Sequence, residues 1–414
     1  QLVILIISKE QLMDFGLSEN QRKWQLISRE FATKIVAPEA LERDRIPFAK
    51  DRIPWDWIKL ADEAGIRTLG VPKEFGGAEE SILTMCIVGE ELAAADLGFA
   101  VIMDQCWKMA HLFKDAMTSE QQLEFIPKFV ANNQATTAIG ITEPDIGSDH
   151  QGYYDGADIG MKTTAVRDGD SYILNGTKRY ISNGCMATLY FITARLDATK
   201  PLSASGAVFI VPSDTPGFRP DFFHEKSSQR LATNGCFHLE NCRIPAENIL
   251  LGEGKLITLR SQYMPGSKAE AAATVLGVGR AAYDYAMTYA KERKQGGKFI
   301  IEHQAVSLML ARMAMLIDGA RLQIYKAAWL ADVGDKDARV QGLIAKVQAS
   351  EAAFEVCRLS TEILGGAGIM YEHPVEKYLR DAASFLHSDG TNQICSLRVT
   401  NVLADLNSAA LYGF

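Results

Sequence analysis

A stretch near the C-terminus, residues 362–394, contains the residue types best suited to chemistry. Within it, the cluster Gly365-Gly366-Ala367-Gly368 allows backbone to approach a ligand closely, because glycine has no Cβ and tolerates positive φ. Farther along, Asp389-Gly390-Thr391 places a carboxylate directly before a flexible residue and a hydroxyl. This arrangement can present one base to a substrate while the next two residues contact a cofactor. Each element alone is also typical of a helix C-cap or an ordinary turn.

The order of these elements resembles the C-terminal signature of the acyl-CoA dehydrogenase family. In that family a glycine-rich turn, a PVEK…RDA helix and an EGT loop follow one another, and here they read GGAG, PVEKYLRDA and DGT. The resemblance covers nearly the whole chain. It implies an α+β fold with an N-terminal helical domain, a central β-barrel or β-sandwich domain and a C-terminal four-helix bundle. One departure lies at the centre of the chemistry, since Asp389 stands where the family usually has a catalytic glutamate.

Length, charge and cysteine usage exclude several classes of protein. The 414 residues suffice for two or three domains. A formal net charge of -8, with no Lys/Arg-rich run, excludes the electrostatic footprint of a nucleic-acid-binding protein. The 7 cysteines are odd in number and lack CxxC spacing, which predicts reduced thiols in a cytosol-like compartment. A cytoplasmic bacterial location is therefore expected, with the mitochondrial matrix as the alternative. The 7 histidines show no metal-ligand spacing, so no metal is expected.

The N-terminal part of the chain has a helical pattern. The opening QLVILIISKEQL is too short to span a bilayer and lacks the features of a signal peptide, so residues 1–12 are interpreted as a leader or tag before Met13. Ser18 is the expected N-cap of the first helix, with Glu19 in its first turn. Residues 13–135 are predicted to form a helical domain. Its further helices are expected at Trp55 to Ala64, Leu83 to Ala95 and Glu120 to Val130.

The pattern then changes to strands and back to helices. Residues 136–250 alternate as in a β domain, with strands at SYILNG, TLYFITARL, GAVFIVPS and FHLENCRIP and a turn at Asn175-Gly176. Residues 251–414 are predicted to form an antiparallel helical bundle. Its helices are expected at Ser267 to about Lys294, Glu302 to about Val333, Asp337 to Leu364 and Pro374 to Phe385. The first of them is rich in alanine and glycine, which permits close helix packing.

The resemblance implies FAD as the cofactor, held by loops of the β domain. The first loop, ITEPDIGSD, matches the family at four positions that would hold the flavin: Ile141, Thr142, Gly147 and Ser148. The second, KRYISNG, places Tyr180 where a tryptophan is usual and Ser182 where threonine is common. Stacking and hydrogen bonding survive both exchanges.

Further cofactor contacts are implied in the C-terminal domain. In ERKQGGKFIIEHQ, Arg293 and Gln304 would serve the FAD of a neighbouring subunit, which implies a homotetramer. Gly296 replaces the usual phenylalanine of this segment. The glycine turn and the DGT loop would add Gly365, Gly366, Thr391 and Gln393. Glu362 replaces a common glutamine and is not assigned as a ligand.

The implied reaction is the dehydrogenation of an acyl-CoA thioester to an enoyl-CoA or dienoyl-CoA, with electron-transferring flavoprotein as the acceptor. Such an enzyme needs donors to the thioester carbonyl, a positioned base and an oriented flavin. The resemblance assigns the base to Asp389, whose pKa desolvation is expected to raise. It assigns substrate contacts to Ser148, Lys268 and Gly390, and a solvated charge at a helix start is the alternative for Lys268. Some members carry the base on the first helix of the bundle, but Ser267 occupies that position here.

Asp104, in the apolar run GFAVIMDQCW, is a second candidate acid. A carboxylate among apolar neighbours is expensive to bury without a purpose. The alignment places it at the floor of the acyl cavity, where alicyclic-acyl-CoA dehydrogenases can carry a second base, while a salt-bridged or capping aspartate is the alternative. A shortened base at Asp389 together with Asp104 predicts a compact or cyclic substrate such as cyclohexene-carboxyl-CoA.

Two other functions fit the same fold. A nitroalkane oxidase also uses aspartate as its base and has a similar GGK…IIEHQ loop, but its arginine seven residues after the base is Ser396 here, and the nearest arginine is Arg398. A flavin-free scaffold that has lost the chemistry is the non-enzymatic alternative. The intact TEP, GSD, GGAG and DGT motifs argue against it, and the colour of the purified protein separates the two.

Overall fold

The computed structural model of the protein describes residues 16–151 and 156–404. The proposed leader and the start at Met13 lie outside these residues. The expected cap at Ser18 is confirmed, because its side chain accepts from the backbone N–H of Gln21 and the Gln21 side chain accepts from the Ser18 N–H. Within the described ranges, no helix is long and apolar enough to cross a membrane.

Six helices precede the first strand in the described part of the chain. They are α1 (Glu19–Phe31), α2 (Ala37–Asp44), α3 (Trp55–Glu63), α4 (Ile82–Ala95), α5 (Leu97–Asp115) and α6 (Ser119–Ala131). The predicted helices at α3, α4 and α6 are confirmed to within one residue. The sequence did not predict α5. Almost all of its residues are buried, so it has no polar face from which a helical period can be read.

Helix α5 is buried because it packs on two sides. Phe99 and Ile102 belong to the core shared with the surrounding helices. Phe113 belongs to a second core, and its ring centroid lies 6.1 Å from that of Phe191 in the sheet. The helix therefore joins the helical and β parts of the molecule, and the functional side chains described below project from it.

The middle of the chain forms one large sheet. Its strands, together with the short helix α7 (Leu202–Ser205), are β1 (Thr137–Gly140), β2 (Thr164–Asp168), β3 (Ser171–Ser182), β4 (Leu189–Arg195), β5 (Gly206–Pro212), β6 (Phe218–Phe223), β7 (Asn234–Pro245) and β8 (Ile249–Leu251). The order across the sheet is β6-β7-β3-β2-β4-β5-β8, with β1 parallel to β4.

The predicted turn at Asn175-Gly176 is wrong. Both residues lie inside β3, which continues to Ser182, and the pairing of β3 with β7 shifts register between Leu174 and Gly176. The Asn-Gly pair therefore marks an irregularity within a long strand and not a hairpin turn. Glycine is common at both kinds of position. The strand continues through the segment that the sequence interpretation treated as a flavin loop.

The chain returns to long helices after the sheet. They are α8 (Ser267–Glu292), α9 (Gln304–Asp332), α10 (Ala338–Leu364), α11 (Val375–Ser384) and α12 (Asn392–Leu403), with the hairpin strands β9 (Lys294–Gln295) and β10 (Lys298–Phe299) between α8 and α9. The predicted long helices are confirmed, whereas α12 and the hairpin were not predicted. Gly296 has φ of 61° in the turn between β9 and β10, which accounts for glycine where the family usually has phenylalanine.

Close packing of α8 depends on its glycines, as the sequence predicted. A Cβ at Gly277 would lie 2.3 Å from the backbone oxygen of Glu90 in α4. A Cβ at Gly279 would lie 3.1 Å from the Cα of Ala353 in α10. The helix is thus held between α4 and α10, and its first turn faces the site described next.

Candidate active site

A cavity of about 460 Å³ opens where α5, the sheet, the start of α8 and the loop after α11 meet. Its wall contains ten of the residues that the sequence analysis assigned to catalysis, cofactor or substrate, and these come from four separate segments. They are Ile141, Thr142, Gly147, Ser148, Tyr180, Ser182, Lys268, Asp389, Gly390 and Thr391. The fold therefore assembles one site from motifs far apart in sequence.

A buried ion pair fixes the loop that follows β1. The Nζ of Lys178 lies 2.9 Å from Oε1 of Glu143, and both side chains are almost fully buried. The same carboxylate accepts from the backbone N–H groups of Lys162 and Thr163 and from the Thr163 hydroxyl. Burial opposes the charge of Glu143, but Lys178 and these donors outweigh it and lower its pKa. The TEP motif is thus an anchor that holds the neighbouring Thr142 at the cavity.

The residues after Lys178 present an aromatic ring and a hydroxyl to the cavity. Tyr180 has φ of 61° and is 50% exposed, and its ring stacks on His224 at 4.5 Å between centroids. Ser182 ends the strand and also lines the cavity. Asn183 holds this corner by donating to the backbone oxygen of Thr137.

The polar wall fits the flavin that the resemblance implies. Thr142, Ser148 and Ser182 line the cavity, and their hydroxyls have no hydrogen-bond partner among the described residues. A Cβ built on Gly147 would meet nothing within 4 Å, so backbone is open to a ligand there. Free donors and acceptors beside an exposed ring suit a planar heterocycle with carbonyl and ring-nitrogen groups.

Asp389 lies among lysines at the opposite wall. Lys108 of α5 approaches its two carboxylate oxygens to 3.4 and 3.5 Å, and Lys268 of α8 approaches Oδ1 to 3.5 Å. Lys268 also donates to the backbone oxygen of Asp389, and Lys346 of α10 donates to that of Gly390 at 2.7 Å. The backbone of Asp389 is itself left-handed, with φ of 55°. Lys268 is therefore part of the site and not a solvated charge at a helix start.

We expected desolvation to raise the pKa of Asp389, but in the structure this pKa is lowered. Burial does act in that direction, but the positive charges of Lys108, Lys268 and Lys346 outweigh it and hold the pKa well below the usual carboxyl range. Asp389 is consequently a carboxylate at neutral pH, the protonation state that a base requires. Its side chain is 27% exposed, towards the cavity that it lines.

Asp104 lies behind Lys108 and outside the cavity wall. Its Oδ2 is 2.6 Å from the Nζ of Lys108, so Asp104 forms the salt bridge that was the alternative prediction. Its Oδ1 has no hydrogen-bond partner within the described ranges. Burial is the main cause that raises the pKa of Asp104 to about 7, with Glu270 and Asp389 acting in the same direction and Lys108 against it. Lys108 thus lines the cavity where Asp104 was predicted to lie. Asp104 can influence the cavity only by its ion pair with Lys108.

The sequence analysis did not identify Lys108. Its spacing from Asp104 is i, i+4, which on a helix brings oppositely charged side chains together. That signal was available, but it requires the helix α5, which the uniform hydrophobicity concealed. Lys178 was overlooked in the same way, because its partner Glu143 is 35 positions away.

Five of the assigned cofactor residues lie outside this cavity and on exposed surface. They are Arg293, Gln304, Gly365, Gly366 and Gln393. Arg293 is the C-cap of α8, and Gln304 begins α9. A Cβ on Gly365 or Gly366 would meet nothing within 4 Å. Their exposure in one subunit is compatible with the predicted contact to a neighbour's cofactor.

Two residues considered in the sequence analysis have other partners. Glu362 forms an ion pair with Arg358 on the surface of α10, so it does not face a ligand in this structure. Arg398 is buried in α12 and lines a separate small cavity, not the 460 Å³ one. The position that would distinguish a nitroalkane oxidase therefore supplies no cation to the large cavity.

Comparison with known proteins gives matches along the chain. Family models for the N-terminal, middle and C-terminal domains of acyl-CoA dehydrogenase match residues 18–133, 138–242 and 261–403. A cyclohex-1-ene-1-carbonyl-CoA dehydrogenase of Geobacter metallireducens is 33% identical over 382 residues, which are 91% of this chain and 96% of that protein. The structure of butyryl-CoA dehydrogenase from Megasphaera elsdenii matches with a TM-score of 0.87 and 29% identity, over 95% of this chain and 100% of that one. A structure described as the electron transferring flavoprotein of Acidaminococcus fermentans matches with a TM-score of 0.86 and 31% identity, over 94% and 99% of the chains.

Proposed function

This chain belongs to the acyl-CoA dehydrogenase family of FAD-dependent oxidoreductases, and from that premise we propose that it oxidises a compact, cyclic acyl-CoA. The observation that carries the proposal is the charged group at the cavity wall, in which Lys108 lies between Asp389 and Asp104. A cyclohexene-carboxyl thioester, which would yield a dienoyl-CoA, is the best candidate substrate.

The charged wall disfavours a long alkyl chain. Lys108 and Gln105 both project from α5 into the cavity. A chain that ends against an ammonium and an amide leaves methylenes unburied, at a cost of roughly 0.8 kcal/mol for each. A ring presents the same number of carbons over a shorter length. Apolar side chains, including Val101, Met109 and Phe385, are available around it.

The relative from Geobacter metallireducens described above supports the same substrate class. It is named for cyclohex-1-ene-1-carbonyl-CoA and shares 33% of its residues with this chain. An identity of 33% over nearly the whole length shows the family, and we use the relative's substrate only as support for the proposed one. The carboxylate at Asp389 and the Asp104–Lys108 pair supply the independent physical reason.

We assign the proton transfer to Asp389. Its carboxylate takes a proton from a carbon of the acyl group, and a bound FAD supplies the acceptor for the hydride that leaves the second carbon. A carbon–carbon double bond forms between them, so two hydrogens leave the substrate in total. Lys268 and Lys346 fix the backbone of the DGT loop, and Lys108 holds both carboxylates in place. This division of roles makes Asp389 the catalytic base and gives Asp104 an effect through Lys108.

We further propose a homotetramer in which subunits share cofactor contacts. Arg293 and Gln304 lie on exposed surface at the two ends of the β9–β10 hairpin and would serve a neighbour's FAD. Leu308 and Met315 follow on the same helix and are 71% and 69% exposed. Their spacing of seven residues, continued by Leu322, places an apolar stripe along α9 that a second subunit can cover.

Electron-transferring flavoprotein is the electron acceptor that we propose. The structural neighbour described as an electron transferring flavoprotein is consistent with this choice, but its title applies to that protein. A cytoplasmic location also stays a proposal, supported by bacterial relatives.

The test is a comparison of substrates by anaerobic reduction of the flavin. Purified protein, expected to be yellow, is mixed with cyclohex-1-ene-carboxyl-CoA, cyclohexane-carboxyl-CoA and a linear thioester of equal carbon number. The cyclic substrates are expected to reduce it faster. Asp104→Asn should slow reduction by the cyclic substrate, with Asp115→Asn at the end of the same helix as the control. Preference for the linear thioester contradicts the cyclic assignment, and a colourless protein that cannot be reconstituted with FAD contradicts the activity itself.

A further inference from the structure

Three side chains with different donor atoms meet near an edge of the large sheet. Asp221 comes from β6, and Cys236 and His238 come from β7. The carboxylate oxygen, the thiol sulfur and the ring nitrogen that they offer all lie within 4.8 Å of one another. The Nε2 of His238 is already 3.0 Å from Oδ2 of Asp221. None of the three lines the active-site cavity.

The strand geometry explains why they meet. Cys236 and His238 are two residues apart, so they project from the same face of β7. The pairing of β6 with β7 shifts register between Pro220 and Phe222, which leaves Asp221 as the inserted residue of a bulge. A bulge re-aims a side chain, and here it brings the carboxylate to the thiol and the imidazole.

We propose that these residues form a site for a divalent cation of the zinc type. Thiolate, imidazole and carboxylate are the three ligand types that Zn²⁺ takes in proteins, and a site with three protein ligands keeps a fourth position for water. Tetrahedral coordination at the usual bond lengths separates ligand atoms by roughly 3.3 to 3.8 Å. The widest separation in the cluster, up to 4.8 Å, therefore has to shorten by about 1 to 1.5 Å on binding.

The surroundings of the cluster suit a metal ligand set. The other ring nitrogen of His238, Nδ1, lies 2.9 Å from the hydroxyl of Thr177 in β3. An outer hydrogen bond of this kind fixes the tautomer and the orientation of a ligating histidine. Asp221 is exposed at the sheet edge, so a cation can enter from solvent. Arg219 lies 3.8 Å from Asp221, but it also forms an ion pair with Glu240 at 2.8 Å, which offsets its charge.

The bound ion would join the edge strand to its neighbour. Among the described strands, β6 ends the sheet and pairs with β7 alone, and its bulge interrupts that pairing. A cation held by both strands replaces the lost hydrogen bonds with coordinate bonds. The sequence analysis found no metal spacing, because the C-x-H pair on one strand needs Asp221, which is 15 residues earlier and reaches it only through the sheet register.

The experiment is a titration of the FAD-loaded protein with Zn²⁺ after treatment with a chelator. Isothermal calorimetry is expected to show one ion per chain, and Cd²⁺ is expected to give an ultraviolet thiolate-to-metal charge-transfer band. Zn²⁺ should also raise the melting temperature. His238→Gln and Asp221→Asn should each weaken binding by at least about tenfold, and Cys236→Ser should abolish the Cd²⁺ band.

Cys185 supplies the matched control. Its Sγ lies 3.2 Å from the backbone oxygen of Cys236, yet it is outside the ligand set. Cys185→Ser should keep both the Zn²⁺ stoichiometry and the Cd²⁺ band. The proposal is overturned if wild type binds no Zn²⁺, if His238→Gln binds it as tightly as wild type does, or if Cys185→Ser loses the band. His238→Gln at a half-buried position keeps the test valid if Cys236→Ser does not fold.

Discussion

At the scale of single residues, the site depends on the position of one ammonium group. Lys108 is 2.6 Å from Asp104 and 3.4 Å from Asp389, and its own side chain is almost fully buried. The pKa values of the two carboxylates therefore shift in opposite directions, since Asp389 faces three lysines, whereas Asp104 is fully buried beside one lysine and two acidic groups. Opposite environments of paired carboxylates are a common way to give them different roles in one site.

Lys108→Met should move the acidic limb of the pH–rate profile. With Asp389 as the proposed base, activity needs its carboxylate form and is lost as pH falls through the pKa of that group. The wild-type pKa is depressed, and removing the nearest cation raises it, which shifts the acidic limb to higher pH. Stopped-flow reduction of the flavin across pH measures the shift. Lys114→Met, an exposed lysine of the same helix, should leave the limb in place.

Asp389→Asn tests the assignment of the base directly. The variant should retain FAD and bind substrate, because the lysines contact the backbone of the loop as well as the carboxylate. The rate of flavin reduction should fall by about 10² to 10⁴, the usual contribution of a positioned base. Bleaching of the flavin at the wild-type rate would show that another group takes the proton.

The sequence identified Asp389 but could not give its charge state. Its identity follows from a local motif, DGT, whereas its pKa depends on Lys108, Lys268 and Lys346, which lie in three other helices. Burial alone, the one effect that a sequence pattern indicates, acts in the opposite direction. The error shows that a pKa is a property of the folded surroundings.

At the scale of elements, the loop after β1 is held by Glu143 and Lys178. Each group is buried, and each would be left uncompensated without the other. The sequence predicted that this loop binds the cofactor. It could not show that Glu143 fixes the shape of the loop, because the partner of Glu143 is Lys178 on β3, 35 residues away. Helix α5 was concealed for a related reason, since burial on two sides erased its periodicity.

Glu143→Gln should destabilise the protein and loosen the loop after β1, because it removes the ion pair with Lys178. Breaking a buried ion pair by removing one partner leaves an unpaired charge and costs about 3 to 5 kcal/mol of stability. Urea unfolding of the apoprotein measures that loss, and FAD titration should show weaker binding, because Thr142 of the cavity wall directly precedes Glu143. Asp145→Asn is the matched control in the same loop. Its carboxylate is 82% exposed, so both measurements should stay close to wild type.

At the scale of the whole molecule, the exposed stripe on α9 predicts the assembly. The double variant Leu308→Glu/Met315→Glu places charges on the proposed interface and should yield smaller species in analytical ultracentrifugation. FAD should be held less tightly as well, because Arg293 and Gln304 are proposed to reach a neighbour's cofactor. Leu123→Glu, at a 68% exposed position of α6, should leave the sedimentation unchanged. An intact tetramer in the double variant would place the interface elsewhere.

The overall architecture was predictable from sequence, but the contacts between its parts were not. Helical and alternating periods are local, so the three regions and most long helices follow from them. The ion pairs and the hydrogen bond that fix α11 join residues far apart in the sequence. Lys377 contacts Asp96 at 2.9 Å and Asp381 at 2.6 Å, and Asp381 also accepts from the backbone of Gln229. Only the fold brings the PVEK…RDA motif to the N-cap of α5 and to the segment between β6 and β7.

The left-handed backbone of Asp389 also bears on how this position can change over time. At φ of 55° a side chain pays a steric cost that aspartate and asparagine tolerate better than longer residues do. A substitution by glutamate would lengthen the reach of the carboxylate and raise the backbone strain in the same step. The length of the base is thus coupled to the backbone shape of its loop.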